Sequence, residues 1–206
     1  MNYNLKMEEQ IRNLSGVPSL LLHVCCAPCS SAVLERLGET FRITCFFYNP
    51  NITEEVEYQK RLDELKKFVG MLQIKYPVSI LEGRYLKEEF FAISKGYEKE
   101  KERGKRCYLC YQLRLQETAQ VASSHSFDFF ATTLTLSPYK NSDFVNEIGK
   151  RLDDEYQATY LYSDFKKKNG YHRSIELSRI YHLYRQDYCG CIYSKLEREE
   201  QKKNDA

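Results

Sequence analysis

The sequence predicts an α/β fold: a mostly parallel sheet flanked by helices, with a metal site at the carboxyl ends of its strands. Three observations predict it. Short apolar runs alternate about five times with segments of helical spacing, the pattern of a parallel sheet covered on both faces. The clearest runs, 19–24 and 43–48, are nearly continuous in apolar residues and read as buried strands. A cysteine cluster follows the first run directly, at the strand end where such sheets bind ligands.

Taken in order, residues 19–24 (SLLLHV) form the first strand. Residues 30–37 carry Val33, Leu34 and Leu37 at helical spacing, and Gly38 ends that helix. Residues 43–48 (ITCFFY) form a second strand, closed by the turn Asn49-Pro50-Asn51. Residues 54–72 are an amphipathic helix with Val56, Leu62, Leu65, Val69 and Leu72. A third strand is expected over 76–81 and a helix over 86–100, fading into the charged loop KEKERGKR. Further helices are expected over 107–123, 141–152 and 175–184, with strands over 127–132 and 159–162. The tail 196–206 is nearly all charged and is expected to fray. No internal repeat or linker interrupts the chain, which reads as one domain.

Hydrophobic residues make up 42% and charged residues 29%, the balance of a globular protein. No run reaches the length of a membrane span, and the polar stretch 1–10 has no apolar region of a secretory signal. A cytoplasmic location is therefore expected, with no membrane partner and with reduced thiols. The net charge of +2 gives only a weak overall field. Basic residues nevertheless gather at Lys99, Lys101, Arg103, Lys105 and Arg106, and again at Lys166, Lys167, Lys168, His172 and Arg173. With 17 tyrosines they suit an RNA surface; solvated loops and core tyrosines are the plainer explanation.

Seven of the eight cysteines fall into three clusters: Cys25-Cys26-Ala27-Pro28-Cys29, Cys107-Tyr108-Leu109-Cys110 and Cys189-Gly190-Cys191. In a reducing compartment this points to metal or catalysis rather than structural disulfides. A C-x2-C unit brings two sulfurs to one ion. Both such units precede predicted helices, whose N-termini favour thiolates. Neighbouring side chains in extended chain point apart, so Cys25 and Cys26 are expected to serve two adjacent centres. A cluster or a zinc ion takes roughly four thiolates, and the surplus implies a second metal or redox-active thiols able to form a disulfide bond. A structural zinc site and a thioredoxin-like Cys-Ala-Pro-Cys dithiol are the alternatives. Cys45, inside an apolar strand, reads as core.

The motifs resemble the cobalamin-independent epoxyqueuosine reductases of the QueH type. The resemblance is carried by His23-Val24-Cys25-Cys26-Ala27-Pro28-Cys29, Tyr48-Asn49-Pro50-Asn51-Ile52, Glu57-Tyr58 and Arg61, and Arg106-Cys107-Tyr108-Leu109-Cys110 with Arg114-Leu115. It continues through Thr132-Thr133-Leu134, Ser137-Pro138, Asp164-Phe165-Lys166-Lys167, Ser174 and Tyr184-Arg185-Gln186-Asp187-Tyr188-Cys189-Gly190-Cys191.

It implies the two-electron deoxygenation of epoxyqueuosine in tRNA to queuosine. The implied cofactors are a [4Fe-4S] cluster and an additional mononuclear iron; the implied partners are a tRNA carrying epoxyqueuosine at the wobble position and an unidentified electron donor. A cluster delivers electrons singly, and a Lewis-acidic iron polarises the C–O bond.

The seven clustered cysteines are the cofactor and metal residues, with Asp164 as a carboxylate ligand to the extra iron and Asp187 its runner-up. Asp164, Tyr139 and Lys167 are the candidate catalytic acids. His23 is a weaker candidate, because a lone histidine in an apolar strand is ordinarily packed. Lys166–Lys168 are candidate phosphate contacts.

More distantly the chain resembles the ATP-pyrophosphatase-like (HUP) fold. There a glycine-rich phosphate loop follows the first strand; here Cys-Cys-Ala-Pro-Cys, with no glycine, takes its place. A tRNA-thiolating iron–sulfur enzyme and a zinc-stabilised RNA-binding domain are the competing functions.

Overall fold

The computed structural model describes residues 1–204. The element order is α1 (Tyr3–Arg12), β1 (Ser19–His23), α2 (Ala27–Leu37), β2 (Arg42–Phe47), α3 (Glu55–Met71) and β3 (Ser79–Glu82). It continues with α4 (Lys87–Ser94), α5 (Lys105–Ser124), β4 (Phe129–Thr132), a 3-10 turn (Thr133–Leu136), α6 (Ser142–Glu155), β5 (Thr159–Tyr160), α7 (Gly170–Ile180) and α8 (Ile192–Asn204). All strand pairings are parallel and the order is β3-β2-β1-β4-β5. The chain winds one way from β1 to β3 and the other way through β4 and β5. The reversal falls between β1 and β4, where a crevice opens beyond the strand ends.

Side-chain alternation divides the interior in two. Leu20, Leu22, Ile43, Cys45, Phe47 and Ala131 face a core with Val33, Leu34 and Leu37 of α2, Leu62, Leu65 and Phe68 of α3, and Leu177 of α7. Leu21, Phe46, Phe130 and Tyr160 face the other, with Tyr111, Leu115 and Ala119 of α5 and Val145, Ile148 and Leu152 of α6. Each fully buried side chain of this kind contributes about 1.5–3 kcal/mol. Because both faces are covered, the strands need apolar residues at consecutive positions. A smaller cluster of Phe90, Cys110 and Cys191 joins α4, α5 and the start of α8.

Several boundaries differ from the sequence expectation. Helix α2 begins at Ala27 rather than at 30, because Pro28 is set for the first helical turn. Helix α4 stops at Ser94, β3 spans only Ser79–Glu82, and α7 runs over Gly170–Ile180 instead of 175–184. Helix α1 was not expected. Asn2 caps it by accepting from the Leu5 amide at 3.2 Å. Gln10 then closes the sheet edge, donating to Tyr160 O at 2.8 Å and accepting from Tyr162 N at 3.0 Å.

The fraying expected for the tail is corrected: residues 192–204 are the helix α8, and only 205–206 lie outside the described residues. Its anchors are polar. Glu197 accepts from Arg106 Nη2 at 3.0 Å and from the Glu102 amide at 3.3 Å, and Lys195 pairs with Glu54 at 2.5 Å. No helix among the described residues is long and apolar enough to cross a membrane.

Candidate metal centre

The first cysteine motif sits at the topological crevice. Strand β1 ends at His23, the chain bends at Cys25, and Cys26 caps α2 in extended conformation (φ −173°, ψ 161°) without a side-chain capping bond. The helix therefore turns its electropositive end toward sulfur rather than toward the usual capping oxygen. The sulfurs of Cys25, Cys26 and Cys29 all lie within 4.8 Å of one another, with Cys25 and Cys26 Sγ 3.7 Å apart. This corrects the expectation that the vicinal pair points apart. Strand alternation no longer applies where the backbone bends, and the helix start folds Cys29 back onto both. From the β4 side the Thr133 hydroxyl approaches Cys25 Sγ to 3.9 Å.

The second and third motifs approach each other, as a looser nest, through Cys110 and Cys191, which pack together with Phe90; among the described residues only the first motif brings three sulfurs within 4.8 Å of one another. Cys107 and Cys110 stand in the first turns of α5, within the helix expected over 107–123; Cys189-Gly190-Cys191 immediately precedes α8. The Arg103 amide donates to Cys107 Sγ at 3.3 Å and the Ser194 amide to Cys191 Sγ at 3.4 Å. The Cys189 amide donates to Ser194 Oγ at 3.0 Å.

Gly190 has φ +117°, and a Cβ there would stand 2.9 Å from Ile52 Cγ1 and 3.2 Å from Arg61 Nη1. Glycine is thus required by conformation and by space. Arg61 Nη1 donates to Cys189 O at 3.0 Å and the Thr53 amide to Gly190 O at 3.2 Å, fixing the loop. All eight cysteines are free.

Two buried guanidiniums stand between the nests. Arg114 donates through Nε to His23 Nε2 at 3.2 Å and through Nη2 to Asn49 Oδ1 at 2.7 Å. Burial works against its charge, and Cys110, Cys25 and Cys189 more than offset that. Arg61 bonds Glu57 Oε1 at 2.7 Å and feels both Cys26 and Cys189. His23 is fully buried, and burial followed by the Arg114 charge lowers its pKa to about 3. Nε2 lies 3.2 Å from both Arg114 Nε, which can only donate, and Tyr48 O, which can only accept; with the Arg114 bond made, the neutral ring carries its proton at Nδ1, 2.7 Å from Thr132 Oγ1, and the Tyr48 carbonyl is left without a proton from the ring. It is a packed core histidine that orients Arg114.

The thiols are shifted in both directions. Cys25 is pushed well below the ordinary thiol range by the Cys26 and Cys29 sulfhydryls, with Arg114 assisting against desolvation. Cys26 is raised to about 12 by burial and then by the Cys25 charge. Cys29 is raised by its hydrogen bonds to Cys25 and Cys26. In the second nest, burial and then the neighbouring Cys189 raise Cys107, and burial raises Cys110 to about 12 and Cys191 higher still. The helix N-termini therefore do not by themselves hold Cys29 and Cys107 as thiolates: the neighbouring sulfurs of the first motif raise Cys29, and burial raises Cys107. A bound cation reverses that balance, and its binding releases protons. The donor set fits iron: soft sulfur ligands in two adjoining groups, amides directed at sulfur, and buried positive charge nearby.

A cavity of about 410 Å³ opens onto both groups, reaching Cys25, Cys29 and Cys189. Arg61, Arg114, Lys140, Arg185 and Arg198 supply its positive charge, and Tyr139, Tyr171 and Tyr188 its aromatic wall. Tyr139 is 62% exposed. Of the other expected residues, Asp187 lines the cavity but is paired with Lys202 at 2.5 Å.

Asp164 and Lys167 do not line it. Asp164 is buried beyond the end of β5, its Oδ1 lying 2.9 Å from Lys166 Nζ but outside hydrogen-bonding alignment. Lys167 is exposed and lines a separate groove with Lys168 and Arg173. Sequence reasoning missed Lys140. Its ammonium is buried, 2.7 Å from Glu102, and its pKa is raised because Cys189, Tyr111 and Glu102 outweigh desolvation. A lone lysine in a Ser-Pro-Tyr-Lys loop carries no sequence signal.

Nor is the basic segment 99–106 a uniform surface. Arg106 is 2% exposed and donates to the carbonyls of Tyr97 at 3.2 Å, Glu98 at 2.9 Å and Glu100.

Comparison with known proteins gives a consistent result. The family model described as Epoxyqueuosine reductase QueH matches residues 20–197. A protein named Epoxyqueuosine reductase QueH from Streptococcus pyogenes serotype M1 is 43% identical over 199 residues, covering 94% of this chain and 78% of that one. One of the same name from Thermotoga maritima is 35% identical over 185 residues, covering 88% and 93% respectively. Among solved structures, the U34-tRNA thiolase NcsA from Methanococcus maripaludis with its [4Fe-4S] cluster superposes with a TM-score of 0.53 at 14% identity. It covers 93% of this chain and 67% of that one, a likeness of fold that agrees with the expected ATP-pyrophosphatase-like arrangement. With the cysteine motifs gathered at one strand-end crevice and the match spanning nearly the whole length, the chain belongs to the epoxyqueuosine reductase QueH family.

Proposed function

We propose that this protein deoxygenates epoxyqueuosine in tRNA to queuosine, using iron held by its seven clustered cysteines. The observation that carries the reading is the convergence of Cys25, Cys26 and Cys29 at a cavity that Cys189 of the third motif also lines, within a chain of this family. Opening the epoxide to an alkene consumes two electrons and two protons and releases water. When bound, an iron–sulfur cluster supplies the electrons singly and a second iron supplies Lewis acidity at the C–O bond.

The chain's own residues do the rest. Cys25, Cys26 and Cys29 form one ligand group, and Cys107, Cys110, Cys189 and Cys191 the other. Arg61 and Arg114 offset negative charge between them. Asp164 is kept as the carboxylate ligand of the extra iron, because it stands at the carboxyl edge of the sheet with an oxygen that accepts no aligned hydrogen bond, although Lys166 Nζ lies 2.9 Å from it.

The cavity admits a nucleoside turned out of the anticodon loop, its base against the tyrosines and its phosphates toward Arg185 and Arg198. Protons come from the cavity wall, where the Tyr139 hydroxyl and the Lys140 ammonium stand; Asp164 and Lys167, the other candidate acids, do not line it. Such a protein works in the cytoplasm beside an electron donor.

The test is turnover. Anaerobic protein given a strong reductant should remove one oxygen atom from epoxyqueuosine in tRNA, read by mass spectrometry of the nucleosides. Thiolation of the wobble uridine with ATP, and no loss of oxygen, would place the protein with the thiolating enzymes instead.

A further inference from the structure

Tyr111 has a buried hydroxyl with no hydrogen-bond partner among the described residues. The residue is 1% exposed. A phenol in that setting destabilises the fold unless something accepts its proton. The position of the ring is fixed. Tyr111 follows Cys107 by one helical turn on α5, so the two share a face, and Cys107 packs against the same core as the ring. The groups whose charge reaches the hydroxyl are Lys140 from the loop after β4, Cys107 and Cys110 from α5, and Cys189 from the loop before α8. Lys140 has only protons to offer and is already engaged by Glu102 at 2.7 Å. No cysteine sulfur of the chain accepts from it either, so the acceptor that remains is sulfide bound with iron at that nest. By contrast Tyr160, equally buried in the same core, has its hydroxyl 3.4 Å from Asn146 Oδ1.

We infer that Tyr111 donates a hydrogen bond to a sulfur of the iron–sulfur group held at the Cys107, Cys110 and Cys189 nest, and that it tunes the reduction potential there. The inference rests on the iron–sulfur reading above. A donor directed at sulfur stabilises the more negative, reduced state more than the oxidised one, and so raises the potential. Tyr111 is a positioning residue for electrons: it touches neither the nucleoside nor the epoxide.

The test uses protein loaded with iron under anaerobic conditions and a redox titration followed by electron paramagnetic resonance. Tyr111→Phe removes one oxygen and leaves the ring in place; it should keep the iron and sulfide content and shift the midpoint to lower potential. Tyr160→Phe removes a buried hydroxyl from the same core and should leave the midpoint unmoved. Fluorotyrosine placed at position 111 alone keeps the hydroxyl and makes it a stronger donor, so the midpoint should rise. The inference is overturned if Tyr111→Phe and fluorotyrosine both leave the potential unchanged, or if the Tyr160 and Tyr111 variants shift it alike; in either case the iron content still supports the cluster. Wild-type protein that takes up no iron overturns the inference together with the reading beneath it.

Discussion

At the scale of single residues, the cysteines divide by surroundings rather than by identity. Cys45 is fully buried in the first core, and burial alone raises its pKa to about 12. No other thiol and no buried cation perturbs it. Cys45→Ala should keep the full iron content and turnover and lose about 1 kcal/mol of stability, the scale of one small buried group; a folded Cys45→Ala protein unable to hold iron would return Cys45 to the ligand set.

Asp164 is the sharper case. It stands off the cavity with Lys166 Nζ 2.9 Å away, which is how a surface carboxylate pairs, yet it is buried and its oxygen accepts no aligned bond. Asp164→Asn preserves the shape and removes the charge, so the cluster's spectrum should survive while the additional iron and the deoxygenation are lost. Full iron and full activity in that variant would leave Asp164 as Lys166's ion-pair partner only. At this scale the sequence displayed the candidate ligands, because cysteine spacing is visible in one dimension. It concealed Lys140 and Tyr111, whose importance comes from what the fold places against them.

At the scale of elements, legibility followed the hydrophobic pattern. Strands β1, β2 and β4 were read to within about two residues, because both faces of the sheet are buried and their apolar runs stand out. Helix α1 was hidden by its polarity: its work is done by Asn2 and Gln10, an N-cap and an edge-strand bridge. Helix α8 was mistaken for a frayed end because it has few apolar groups, and what docks it is charge, Glu197 to Arg106 and Lys195 to Glu54. That error matters, since α8 follows Cys191 directly and Glu197, Arg198 and Gln201 line the cavity. Ending the chain after Ser194 should therefore lower iron retention measured after desalting, and turnover with it. A tail without a role would leave both at the full-length values.

At the scale of the whole molecule, a net charge of +2 hides a localised distribution. Several of the basic residues expected to meet phosphate are already paired within the chain: Lys168 with Glu8, Arg173 with Glu35 at 2.7 Å, Lys166 with Asp164. Lys99, Lys101, Lys105 and Lys167 are exposed and appear in no ion pair among the described residues. Binding of tRNA should weaken with salt by about one log–log unit per phosphate contacted. Neutralising those four lysines should reduce the slope, whereas Arg173→Gln should change it little. An affinity that does not depend on salt would remove the basic segments from the interface.

The cysteine positions and the parallel sheet were legible together because a strand-end crevice is where this topology collects its chemistry. The convergence of Cys25 with Cys26 was not, since it depends on a bend that no periodicity announces. The central claim is that the seven clustered cysteines hold iron and sulfide, and metal analysis with electron paramagnetic resonance on anaerobically purified, active protein tests it most directly. The account predicts acid-labile sulfide, a reducible cluster signal, and iron in excess of a single [4Fe-4S] cluster. Full activity in protein that contains zinc and neither iron nor sulfide would contradict it.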